Sequence, residues 1–68
     1  MREFSKRLKE LRAEKGLSLK EVEKLTGISD TSISRWEMGK SEPGCEQLII
    51  LAKFFHISVD YLLGLVED

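Results

Sequence analysis

Between Ser29 and Met38 the chain reads Ser-Asp-Thr-Ser-Ile-Ser-Arg-Trp-Glu-Met. Ile33 and Trp36, three residues apart, mark the inward side of a helix, which leaves Asp30, Thr31, Ser34 and Arg35 on the outward arc. These side chains can read a nucleobase edge. A guanidinium can grip guanine O6 and N7 together, a pair contributing about 1–3 kcal/mol of discrimination. Threonine can bond a base or press its methyl group on thymine, while serine suits phosphate or sugar. Asp30 can accept from cytosine N4, but its first reading is as a favourable charge at a helix N-terminus. Enzyme chemistry has less to work with. Tyr61, His56 and Cys45 show no nucleophile–base spacing, and no glycine-rich loop cradles a phosphate. One His, one Cys and no carboxylates at ligand spacing argue against a metal, and no cofactor is expected.

Five helices must position that arc. Phe4, Leu8 and Leu11 fall at i, i+4 and i+7, giving a first helix over residues 2–14. Gly16 ends it where a left-handed residue is needed. Ser18 and Glu21 have capping-box spacing at the start of a second helix, which carries Leu19, Val22 and Leu25 inward and stops at Gly27. Ser29 caps the third helix. The two short helices over residues 17–37, joined by a Gly-containing turn, form the arrangement that pushes a helix into the major groove. Residues 39–44 are loop chemistry, with Pro43 and Gly44 breaking the periodicity. A fourth helix follows with Leu48, Leu51, Ala52 and Phe55 at core spacing, and His56 takes a positive φ in its last turn. Ser58 caps a fifth helix, with Asp60 in its first turn and Leu62 and Leu63 packed inward. The fold class is all-α, a compact five-helix bundle.

Sixty-eight residues make one domain, 1–68, near the lower size limit for a single core. No run is long enough to cross a bilayer and no signal-peptide pattern opens the chain, so no membrane is expected. A lone cysteine cannot form an internal disulfide and suits a reducing cytoplasm. The net charge of −1 argues, by itself, against a phosphate-binding surface. It conceals an asymmetry: residues 1–40 carry ten Lys/Arg and seven Asp/Glu, whereas residues 41–68 carry one lysine and five acids. A basic front half and an acidic back half fit a protein offering one face to DNA and another to a partner. Lys6, Arg7 and Lys9 read as a solvated face.

Residues 4–64 resemble the Cro/repressor-type (XRE) helix-turn-helix family, with its lambda-repressor-like fold. The matching residues include Leu11-Arg12, Gly16-Leu17-Ser18, Glu21, Gly27-Ile28-Ser29, Thr31, Ile33-Ser34-Arg35-Trp36-Glu37, Gly39-Lys40, Pro43, Leu48, Leu51-Ala52-Lys53 and Ile57 through Gly64. The resemblance implies that the third helix is the recognition helix and that Asp30, Thr31 and Arg35 approach base edges. It further implies that Lys40 contacts phosphate, with Ser34, Ser41 and Lys20 as additional candidates, and that Arg12 and Glu37 pair in a partly buried salt bridge. The chain departs from the family pattern in three places. Leu19 stands where Gln is common, Glu42 replaces a basic or polar residue, and Glu23 replaces a small residue between the second and third helices. Glu23 must therefore splay the helices or reach outward.

The fourth helix is more apolar than one stripe requires. Ile50 and Phe54, one turn apart, together with Tyr61, Leu65 and Val66, form a candidate homodimer interface, the alternative being that they complete a small core. Cys45 reads as a small buried hydrophobe. The expected function is a sequence-specific regulator of transcription on double-stranded DNA, a repressor binding a palindromic operator as a homodimer. The competing reading is a protein-interaction module or antitoxin-like component on the same fold.

Overall fold

A computed structural model describes residues 2–67. Among these residues five helices follow one another: α1 Arg2–Glu14, α2 Leu19–Thr26, α3 Asp30–Glu37, α4 Cys45–Phe55 and α5 Val59–Leu63. Among the described residues there is no strand. The local signals act as their chemistry dictates. Ser18 Oγ accepts from the Glu21 N–H and the Glu21 carboxylate accepts from the Ser18 N–H, at 3.0 and 2.7 Å. That reciprocal pair satisfies two donors the helix start would leave unpaired, and it holds the Glu21 carboxyl below its ordinary pKa. Ser29 and Ser58 cap α3 and α5 by accepting the Ser32 and Tyr61 N–H groups. His56 ends α4 with φ 58°, as expected.

Phe4 and Leu8 of α1, Val22 of α2, Ile33 and Trp36 of α3, Leu48, Leu51 and Phe55 of α4 and Leu62 of α5 bury one shared core, joined by Ile28 from the turn. The Phe4 and Trp36 rings meet edge to face with centroids 6.3 Å apart, a geometry aromatic pairs favour. Beside them Ser5 Oγ donates to the Trp36 carbonyl at 2.6 Å. α1 thus grips α3 through both packing and a hydrogen bond. Gly64, at φ 85°, closes α5 against α1; a Cβ there would lie 2.5 Å from that of Glu3. No other residue type fits that approach without a shift.

Three sequence expectations fail, each for a tertiary reason. Leu25 is 59% exposed rather than buried. The inward direction of α2 runs through Leu19, Val22 and Thr26, and Leu25 falls about 60° to the other side of Val22. Cys45 is exposed, not buried; it opens the first turn of α4, whose inward side begins only at Leu48. Leu11, Leu19 and Leu63, expected inside, are half-buried at the core margin.

Arg7 is a fourth correction. Far from solvated, it is 8% exposed. Its Nη1 donates to the Tyr61 and Val66 carbonyls at 2.6 and 2.7 Å, and its guanidinium lies 4.3 Å from the centre of the Tyr61 ring. Glu3 and Glu67 stand 3.6 and 3.5 Å away. The guanidinium adds a second donor to the Tyr61 carbonyl, which already accepts the Gly64 N–H, and reaches the Val66 carbonyl beyond α5. Arg7 thereby fastens the last described residues to α1.

Candidate nucleic-acid interface

α2 and α3 are eight residues each and meet through Gly27, which caps α2 in the left-handed conformation. Ile33 and Trp36 anchor the inner side of α3, so the arc predicted to face outward is in fact the accessible one. Thr31 and Arg35 are exposed and four residues apart, hence neighbours on one face. Asp30 and Ser34, also four apart, are half-buried along its border.

The end of α3 brings two of the predicted residues together. The Lys40 N–H donates to the Arg35 carbonyl at 2.9 Å, and the Gly39 N–H donates to the Trp36 carbonyl at 3.1 Å. This pattern of crossed bonds turns the chain sharply out of the helix. Arg35 Nη2 in turn donates to the Lys40 carbonyl, at a long 3.4 Å. A candidate base reader and a candidate phosphate contact are therefore tied to one another through backbone. Ser41 follows directly, half-buried, in the loop before α4.

Behind this end lies the expected ion pair. Arg12 Nε donates to Glu37 Oε2 at 2.7 Å and Nη2 donates to Oε1 at 2.9 Å, a two-pronged bond. A third bond runs from Arg12 Nη1 to the Leu17 carbonyl at 2.8 Å. The Glu37 side chain is only 6% exposed. Its hydrogen bonds hold the Arg12 pKa above the ordinary value, against some loss of solvation. The pair ties α1 and the α1–α2 turn to the last residue of α3.

The leading end of α3 is arranged differently from the sequence expectation. Lys20, a phosphate candidate, lies 3.3 Å from Asp30 Oδ2 and 3.7 Å from Glu23 Oε1. The structure therefore pairs it with two carboxylates instead of presenting it alone. The hydrogen bond between them raises the Lys20 pKa and lowers that of Asp30. Glu23 does reach outward, and its Oε1 accepts the Asp30 N–H at 3.2 Å. It acts as a second cap on α3, satisfying an N–H that Ser29 does not. Sequence reasoning missed this role. The signal was available only as a carboxylate seven residues before the first residue of α3, on the far side of a glycine turn.

The five candidate interface residues do not form one open apolar patch. Ile50 and Phe54 are half-buried and pack against the core, and Tyr61 lies under Arg7. Leu65, by contrast, is 70% exposed, and Val66 beside it is exposed too. Small-core completion accounts for Ile50 and Phe54, since a chain this short has little other surface to cover them. Among the described residues no helix is long and apolar enough to cross a membrane. None of their His, Cys, Asp and Glu side chains form a group of three or more that could hold a metal ion.

Two short helices at a glycine turn, the second showing a polar face beside a basic corner, define a helix-turn-helix module. The Helix-turn-helix family model matches residues 8–62, and the chain belongs to that family. It is 39% identical over 62 residues to the HTH-type transcriptional activator BcrR of Enterococcus faecalis, a match covering 91% of this chain and 30% of that protein. It is 34% identical over 65 residues to the HTH-type transcriptional regulator YobD of Bacillus subtilis, covering 96% and 58%. Over 40 residues it is 45% identical to Repressor protein C2 of Salmonella phage P22, covering 59% and 18%. The chain thus spans between about a fifth and three-fifths of the length of these relatives.

Proposed function

We propose that the chain is the DNA-binding unit of a transcriptional regulator, with α3 entering the major groove. The observation that carries this reading is the exposed face of Thr31 and Arg35 ending at Lys40, with Arg35 and Lys40 fixed to each other's backbone. Arg35 and Thr31 read bases, Asp30 is a conditional reader of cytosine, and Lys40 with Ser34 and Ser41 holds phosphate. Membership of a family whose relatives are named transcriptional regulators supports the same reading.

Regulation acts by occlusion of a promoter, as a repressor. Support comes from the relative named as a repressor, against which stands another named as an activator. The repressor reading further takes two copies on a palindromic site, with recognition helices about 34 Å apart. Extents of 28 × 23 × 21 Å suit that spacing for two molecules side by side. Leu65 and Val66 supply the apolar contact. Sedimentation at micromolar concentration tests it: the protein sediments as a dimer, and Leu65→Glu returns it to monomer with the helical spectrum unchanged. A wild-type monomer, free and on its selected duplex, refutes the pairing.

Selection of bound sequences from a random duplex pool, followed by binding across a salt series, tests the function itself. A selected motif and a steep loss of affinity with salt are expected. No enrichment, or a flat salt response, would favour the protein-interaction reading. Lys40→Ala should weaken every sequence alike and reduce the salt slope by about 1. A loss confined to one sequence would instead make Lys40 a base reader.

A further inference from the structure

We propose that Asp30 and Glu23 form an acidic clasp that withholds Lys20 from the phosphate backbone, lowering non-specific DNA binding and so sharpening selectivity. The inference rests on the DNA-binding reading above and adds a specificity device to it.

The geometry is local and asymmetric. Lys20 lies in the first turn of α2, Glu23 one turn further along, and Asp30 opens α3. The ammonium lies 3.3 Å from Asp30 Oδ2 and 3.7 Å from Glu23 Oε1. Glu23 Oε1 also takes the Asp30 N–H, so the carboxylate that faces Lys20 is held in place by the helix that carries its partner. Two acids against one base leave this corner with a net negative charge. The corner includes the N-termini of both α2 and α3, the helix ends that otherwise attract phosphate. The opposite end of α3 carries Arg35, with Lys40 in the turn just beyond it, both exposed.

This distribution has a consequence for selectivity. Non-specific affinity scales with the number of phosphates neutralised, whereas discrimination depends on the ratio of specific to non-specific binding. A lysine already neutralised by neighbours displaces few counterions from DNA. The clasp therefore removes roughly one phosphate contact's worth of sequence-independent affinity and leaves Thr31 and Arg35, both exposed, free to read bases. The Lys20 side chain is 79% exposed, so release of its carboxylate partner frees it to reach solvent or phosphate without unpacking anything.

The test is a salt series on a duplex lacking the selected motif, with wild type, Asp30→Asn and the double variant Asp30→Asn/Lys20→Met. Asp30→Asn should steepen the dependence of log Kobs on log salt by about 1 and tighten non-specific binding by about threefold to tenfold at low salt. Adding Lys20→Met should return the slope to the wild-type value. An unchanged slope in Asp30→Asn, or a gain that survives removal of Lys20, overturns the clasp. A second readout needs no DNA. Carboxyl NMR should find Asp30 titrating below the ordinary aspartate range in the wild type and moving up in Lys20→Met. Identical titration in the two proteins overturns the clasp. If instead the wild type binds no duplex while this NMR shift is present, the failure belongs to the DNA-binding reading and not to the ion pairing.

Discussion

Glu37→Ala will lower the stability of this domain by about 3 kcal/mol, the low end of what breaking a buried ion pair costs. The Arg12 guanidinium is left behind, 19% exposed, and its remaining bond to the Leu17 carbonyl keeps it from turning into water. An uncompensated charge in that position is what destabilises, more than the lost attraction between the two groups. The partial exposure of Arg12 sets the low end of the range. For a domain of this size the melting temperature should fall by roughly 12–24 °C, measurable by circular dichroism. The double variant Arg12→Met/Glu37→Leu should be more stable than Glu37→Ala, because it removes both charges and keeps the volume apolar. A loss under about 1 kcal/mol in Glu37→Ala would mean that the guanidinium finds solvent after all. Because Glu37 is the last residue of α3 and two before Gly39, the same substitution should also loosen the corner that holds Arg35 to Lys40.

The division between what could and could not be read from the sequence follows the range of each interaction. Capping is local: Ser18 with Glu21, Ser29 with Ser32 and Ser58 with Tyr61 all act over three residues, and each defines a helix start. The periodicity of Phe4 and Leu8, or of Leu48, Leu51 and Phe55, is equally local and gave the buried faces. The outward arc of α3 follows from Ile33 and Trp36 alone. Arg7 shows where such reasoning ends. It stands three residues after Phe4 and four before Leu11, on the edge of the buried stripe, yet its fate is decided by carbonyls 54 and 59 residues away. Leu25 and Cys45 fail for a related reason, since only the neighbours of α2 and α4 determine which side of an apolar helix turns inward. Glu23 is the most instructive case. As a substitution for a small residue it reads as a steric fault, but α3 offers a free N–H within reach and the fault becomes a cap.

Arg35→Ala should weaken binding to the selected duplex by about 1–3 kcal/mol, or roughly 5- to 150-fold, and relax the preference at one base pair. The fold will not register the change. Arg35 is exposed, and its side-chain bond to the Lys40 carbonyl, at 3.4 Å, is long and weak. The bond that shapes the turn comes from the Arg35 carbonyl, which alanine retains, so stability should stay within about 0.5 kcal/mol. That separation makes the variant a clean probe of recognition. The guanidinium gives up little to leave Lys40, whereas on guanine it gains two aligned acceptors. Arg35→Lys should fail to restore selectivity, because an ammonium cannot reproduce the planar fork. Selection from a random duplex pool with each variant distinguishes the outcomes. Loss of one base preference assigns Arg35 to base reading. A uniform loss across sequences with the motif intact would assign it to phosphate instead, leaving Thr31 and Asp30 to read the groove.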